Sequence, residues 1–269
     1  RFGVSGVFSN GSSTIDLLKA KIDEIRDLTD SDRVEIIAHS TGGLLVKKYV
    51  QENPGDHHID KAIMVGVPNL GAPKATKVLL EGDSFGVIGL SDGEMKKIGQ
   101  NMPVVYDLAP SQQYFNVNGS FVKVVDQKLF ALDKVKDLNY DETGNFLLND
   151  HGFNSLAYQN AQSLHTPEFD SFDMRPLGVD VYELTGCKTG TIGQLVEKRS
   201  KDIFGNALYN YEQPKIITGD QTVPFESSDS TKANNDKTFY ALKINHGSLL
   251  SANGARQLLV NLLTGSNLN

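Results

Sequence analysis

Val34-Glu35-Ile36-Ile37-Ala38-His39-Ser40-Thr41-Gly42-Gly43-Leu44-Leu45 is the stretch that decides the architecture. Its first five residues are short and β-branched, follow the turn-forming Thr29-Asp30-Ser31-Asp32, and read as a buried strand. From Leu44 the apolar positions take helical spacing through Lys48 and Tyr49, until Asn53-Pro54-Gly55 stops the helix. A strand therefore runs into a helix through a turn with Ser40 at its apex. Ala38-His39-Ser40-Thr41-Gly42 fits the nucleophile-elbow pattern small-x-Ser-x-Gly, in which small neighbours are needed because a sharp turn brings strand and helix close together. Such a pattern also arises by chance, and a serine that merely caps a helix would look alike. The strand-to-helix context favours chemistry.

Working outward, Ser13-Thr14-Ile15-Asp16 is a capping box ahead of Leu18, Ile22, Ile25 and Leu28, the stripe of an amphipathic helix. Downstream, Lys61-Ala62-Ile63-Met64-Val65-Gly66-Val67 reads as a second strand, so helix and strand alternate as in a parallel sheet covered on both faces. Between Pro73 and about Gly178 the alternation is lost among short helical patterns, aromatics and polar loops. Strand signals resume at Val179 to Leu184 and at Thr238 to Leu242, before a closing helix with Leu249, Leu258, Leu259 and Leu262 on its apolar side. Residues 1–74 and 179–269 are thus expected to form an α/β core, with 75–178 inserted as a cap.

Composition bounds the function. The chain has 269 residues, 39% apolar, enough for a full core. Its formal charge of -7 should repel nucleic acid and anionic membranes. Cys187 is the single cysteine, which excludes an intrachain disulfide and a zinc-thiolate site. No stretch approaches the roughly 20 apolar residues of a membrane span, and the N-terminus lacks a basic region followed by an apolar run. A soluble protein is expected, its compartment open, with extracellular or lumenal placement one reading.

An unionised serine is a weak nucleophile and needs a histidine base oriented by a carboxylate. On a strand-elbow-helix scaffold these follow in the order serine, acid, histidine. Asp220, in Gly219-Asp220-Gln221-Thr222-Val223-Pro224, follows the apolar Ile216-Ile217 and is expected at the end of a strand, where catalytic groups of α/β sheets gather. His246, in Asn245-His246-Gly247-Ser248, lies between the last strand and the last helix. A Gly-Asp turn or a helix-capping histidine is the bland reading of each alone. The backbone N-H of Thr41 is the expected oxyanion donor. His39 is expected to pack beside the serine; His57 and His58 read as a solvated linker, and His151 and His165, near Asp150, Asp170 and Asp173, leave a structural metal open. No metal is assigned to the site and no cofactor is implied.

Together these segments resemble the lecithin:cholesterol acyltransferase family, which includes lysosomal phospholipases. The resemblance is carried by Ala38-His39-Ser40-Thr41-Gly42-Gly43, Val67-Pro68-Asn69-Leu70-Gly71-Ala72-Pro73-Lys74, Met102 to Ser111, Gly219 to Pro224 and Asn245 to Leu250. It implies an α/β-hydrolase fold with a lipid-recognising cap, and an acyl-enzyme mechanism on Ser40, Asp220 and His246 that passes the acyl group to water or to an alcohol. Two features depart from it: Gln221 stands where the family usually has glycine, and the disulfides of animal members are ruled out. In addition, only 39 residues precede Ser40, and none resembles the early loop that donates the second oxyanion N-H. The expectation is that N-terminal strands and that second donor are absent from this chain, leaving an apolar sheet edge beside Val34 or a separate N-terminal fragment as partner. Losing one oxyanion donor typically costs about 100- to 1,000-fold.

The expected substrate is a lipid or other carboxylic ester, hydrolysed with His246 as base. Activity should fall as pH drops through the range of an ordinary imidazole, about 6.5. Acyl transfer to an alcohol is the second reading, and a non-catalytic lipid carrier the third. Cap aromatics such as Phe85, Tyr106, Phe121, Phe130 and Phe146 are expected mostly to form the cap's own core, with a few facing substrate.

Overall fold

A computed structural model describes residues 3–4, 13–83, 91–128 and 132–266. Helix α1 (Thr14–Thr29) starts at Ser13, whose hydroxyl accepts the Asp16 N-H while the Asp16 carboxylate accepts the Ser13 N-H. Strand β1 (Val34–His39), helix α2 (Thr41–Glu52) and strand β2 (Ile59–Val65) follow. Then come α3 (Pro73–Leu80), α4 (Asp92–Gln100), α5 (Pro103–Asp107), α6 (Gln112–Asn118), β3 (Val122–Asp126), β4 (Lys134–Leu138), α7 (Tyr140–Asn145), α8 (Ser155–Leu164) and α9 (Pro167–Asp170). The remainder comprises β5 (Asp180–Cys187), β6 (Thr189–Ile192), β7 (Leu195–Lys201), β8 (Ala207–Glu212), β9 (Ile216–Gly219), α10 (Phe225–Ser228), β10 (Thr238–Leu242) and α11 (Asn253–Thr264).

The central sheet has the order β1-β2-β5-β10 with every pair parallel. Strand β2 shows why both faces are covered. Ala62 and Met64 pack into the cluster that holds Ile15 and Ile22 of α1 and Leu44 and Tyr49 of α2, whereas Ile63 and Val65 meet Leu259 and Leu262 of α11. Period-two alternation in a strand apolar throughout places one helix layer on each side. This is the α/β architecture expected from sequence, with no helix among the described residues long and apolar enough to cross a membrane.

Strand β1 is the outer strand of this sheet. A groove of about 450 Å³ along it is lined by Leu18, Ile22, Ile25, Ile36 and Ile37. Of the stripe read from sequence on α1, Ile22 is buried, Ile25 is 40% exposed and Leu28 is 77% exposed. The helix has more apolar residues than this sheet covers.

A second, four-stranded sheet has the order β4-β3-β7-β8, and β6 and β9 form an antiparallel ribbon. The second sheet draws β3 and β4 from between β2 and β5, and β7 and β8 from beyond residue 178. We propose that the cap, expected at 75–178, be counted with these two strands. Its core holds Tyr106, Tyr114, Phe121, Phe146 and Phe153. Phe85 and Phe130 lie outside the described residues.

Within the central sheet, Glu183 on β5 is only 2% exposed. Burial pushes its carboxyl up to about 8; the Thr185 hydroxyl, which donates to Oε1 at 2.8 Å, works against this, and the charge of Asp229 adds to it. The native protein therefore holds this proton where the unfolded chain, with its ordinary value of 4.5, has released it. Between those values the native state binds more protons, so stability falls as pH rises. Glu183→Gln, neutral and similar in shape, should remove that slope and exceed the parent at pH 8 by on the order of 3 kcal/mol. Urea unfolding of both proteins at pH 5 and pH 8 checks it; equal slopes with pH would refute it.

Candidate active site

The turn after β1 holds Ser40 at φ 56 and ψ -131. A residue other than glycine at positive φ costs about 1–3 kcal/mol, and the neighbouring structure enforces it here. The Ser40 N-H is bonded to Val65 O at 2.9 Å, and Thr41 opens α2, so its N-H is one of the helix donors without an intrahelical partner. The side chain of Ser40 projects above the carboxyl edge of the sheet.

Asp220 follows β9, which pairs with β6 rather than with the central sheet. The reason is that β5 runs on through Lys188, at φ 59, into β6 and folds the ribbon back over the sheet end. Asp220 still arrives at the tip of β5, because Gly186 has no side chain: a Cβ there would lie 2.5 Å from Asp220 Cβ. Gly66, at φ 55 after β2, is equally constrained, since its Cβ would lie 3.3 Å from both Asp220 Oδ2 and His246 Nδ1. Asp220 is 1% exposed. Its Oδ1 accepts the N-H groups of Thr222 at 3.0 Å and Val223 at 2.7 Å, leaving Oδ2 for the histidine. Gln221 takes φ 76, a conformation glycine adopts without strain, and its N-H is held by Thr191 Oγ1 at 3.0 Å.

His246, beyond β10, is fixed through its own backbone, its N-H donating to Asp220 O at 2.8 Å. Nδ1 lies 2.7 Å from Asp220 Oδ2 and Nε2 lies 2.9 Å from Ser40 Oγ. With Nδ1 against a carboxylate, the ring proton belongs on that nitrogen. Nε2 is then the acceptor of the serine hydroxyl. The three residues singled out from sequence are thus in one hydrogen-bonded chain.

His39 has a role that sequence reasoning missed. Its Nε2 lies 3.1 Å from His246 O, an atom that only accepts, so His39 donates; its ring centroid stands 4.7 Å from that of His246. Burial, and then the neighbouring imidazole, push its pKa below the ordinary histidine value. A neutral His39 therefore buttresses His246 without adding a charge beside it. The only sequence signal was its adjacency to Ser40.

Beside Ser40 opens an apolar cavity of about 240 Å³, lined by aliphatic groups including Pro68, Ala72, Val78, Ile98, Met102 and Leu108. The loops around it are clamped: Ser227 Oγ donates to Gly71 O at 2.7 Å and accepts the Leu70 N-H at 3.1 Å. Across α2, His165 Nδ1 and Asp170 Oδ1 pair at 2.6 Å, and Lys47 donates to Asp170 O at 3.2 Å. Burial pushes the Lys47 ammonium down to about 8, against the pull of Asp170. Among the described residues no group of three or more His, Cys, Asp or Glu side chains is placed to hold a metal. His57 is used by the backbone at both nitrogens, and His58 pairs with Asp56.

A family model described as lecithin:cholesterol acyltransferase matches residues 15–167, more than half of the chain. Among solved structures, one reported as the crystal structure of the Tle4-Tli4 complex superposes with a TM-score of 0.55 at 14% identity, covering 96% of this chain and 64% of that one. The phospholipase PlaB from Legionella pneumophila gives a TM-score of 0.36 at 14% identity, covering 96% of this chain and 49% of that one. The chain thus spans less than two thirds of either, and the first likeness concerns fold alone. No curated protein matches the sequence.

Proposed function

This chain belongs to the lecithin:cholesterol acyltransferase family, and from that premise we propose that it cleaves carboxylic esters of lipids through an acyl-enzyme on Ser40. The observation that carries the reading is the chain Ser40 Oγ to His246 Nε2 at 2.9 Å and His246 Nδ1 to Asp220 Oδ2 at 2.7 Å, at the mouth of an apolar cavity. His246 takes the hydroxyl proton as Ser40 attacks the carbonyl, then returns it to the leaving alcohol. The Thr41 N-H, at the positive end of α2, faces the developing oxyanion. Water, activated by the same histidine, releases the acid. The family description favours a second outcome, capture of the acyl group by an alcohol, which an added acceptor and detection of a new ester would reveal. A carrier role has less support, since lipid binding alone has no use for a hydrogen-bonded base against a strained serine.

The cavity beside Ser40 is apolar and bounded, about 240 Å³, so it accepts an acyl chain of limited length. Hydrolysis of p-nitrophenyl esters should climb with acyl length until the cavity is filled and then level off. A fluorophosphonate should label the protein, with the adduct on Ser40 by peptide mapping. Absence of labelling and of hydrolysis would sink the reading.

A further inference from the structure

Apolar side chains gather at one end of the second sheet. Asp126 of β3 pairs with Lys134 of β4 and with Arg199 of β7, and Lys201 of β7 pairs with Ala207 of β8, so Leu132, just before β4, and the turn 202–206 lie at the same end. The apolar side chains there reach far into solvent: Ile203 is 92% exposed, Phe204 83% and Leu132 93%. None of them contributes burial to the fold.

The turn 202–206 is built to present Ile203 and Phe204. Asp202 accepts the N-H groups of Phe204 at 2.9 Å and Asn206 at 2.8 Å, and the Asn206 side-chain amide at 2.8 Å, while Gly205 turns the chain at φ 87. Asp133 is likewise turned inward, onto the Lys128 N-H. At the same end stand Lys128, Lys134 and Lys201, exposed and, among the described residues, free of ion pairs.

We propose that this end of the second sheet, with Ile203, Phe204 and Leu132, is a docking surface for a phospholipid bilayer of zwitterionic headgroups. Clustered exposed apolar groups mark contact sites, and side chains as exposed as Ile203, Phe204 and Leu132 can insert between headgroups. The lysines lay their alkyl stems along the interface and keep their ammonium groups among the phosphates. The formal charge of -7 disfavours an anionic surface at long range, leaving apolar insertion as the drive. Strand β7 spans roughly 20 Å, at about 3.3 Å per residue, between this end and the ribbon that carries Asp220.

The test is co-sedimentation with phosphatidylcholine vesicles. The parent protein should bind. Moving half of an Ile or Phe side chain out of water is worth about tenfold, so Ile203→Asp with Phe204→Asp should weaken binding about 100-fold, and Leu132→Asp about tenfold. These residues are exposed, so melting temperature and hydrolysis of a soluble short-chain ester should stay at parental values. Ser40→Ala should bind vesicles like the parent, which separates this proposal from the catalytic one. Failure of the parent to sediment, equal binding by the aspartate variants, or a concentration-dependent dimer that needs Phe204 without vesicle binding would each overturn it.

Discussion

Ser40→Ala is expected to lower turnover of a p-nitrophenyl ester by about a millionfold, to the level left by binding and oxyanion contacts. The substitution removes one atom and keeps the rest. His246 stays bonded to Asp220, the Ser40 N-H stays on Val65 O, and the cavity keeps its walls. The loss falls on kcat, because no acyl-enzyme forms. Rates should be compared on preparations of equal melting temperature and free of contaminating esterase. Retention of more than a thousandth of the activity would mean that Ser40 is not the nucleophile.

Asp220→Asn should cost about 10,000-fold in kcat while leaving KM nearly unchanged. The asparagine oxygen can keep the Thr222 and Val223 N-H bonds that Oδ1 now accepts, and the amide nitrogen then replaces Oδ2 against His246 Nδ1. Two donors would face each other, so the ring moves its proton to Nε2. That nitrogen can no longer accept from Ser40. Nitrogen-15 shifts of His246 should show this exchanged tautomer. A variant with parental kcat, or with the parental tautomer, would remove Asp220 from the mechanism.

Much of this was legible in the sequence for identifiable reasons. The elbow could be read because a β-branched run, a small-x-Ser-x-Gly turn and a helical stripe leave few alternatives, and β1, Ser40 and α2 follow in that order. Asp220 and His246 were legible through their order and their positions beside strands. The second sheet was missed because its strands are short and two-sided: β4 is Lys134-Val135-Lys136-Asp137-Leu138, whose first four residues are all exposed, so no buried face announces it. The ribbon partner of β9 was missed because pairing is non-local, and Ile216-Ile217 looks alike in either sheet. The bonding of His39 to His246 O joins residues 207 apart, a relation no local pattern encodes.

The order β1-β2-β5-β10 also has a temporal meaning. Ser40 leaves the first of these strands and His246 follows the last, 206 residues later, so the bond between them exists only once the final strand has docked. Closing so long a loop is slow, and no early compact state possesses the site. Under the proposed function, hydrolysis would therefore be a clock for the end of folding. In refolding from urea, far-ultraviolet dichroism should recover first and esterase activity last, and a nascent chain released before Thr238 should be inert however well its first strands have formed.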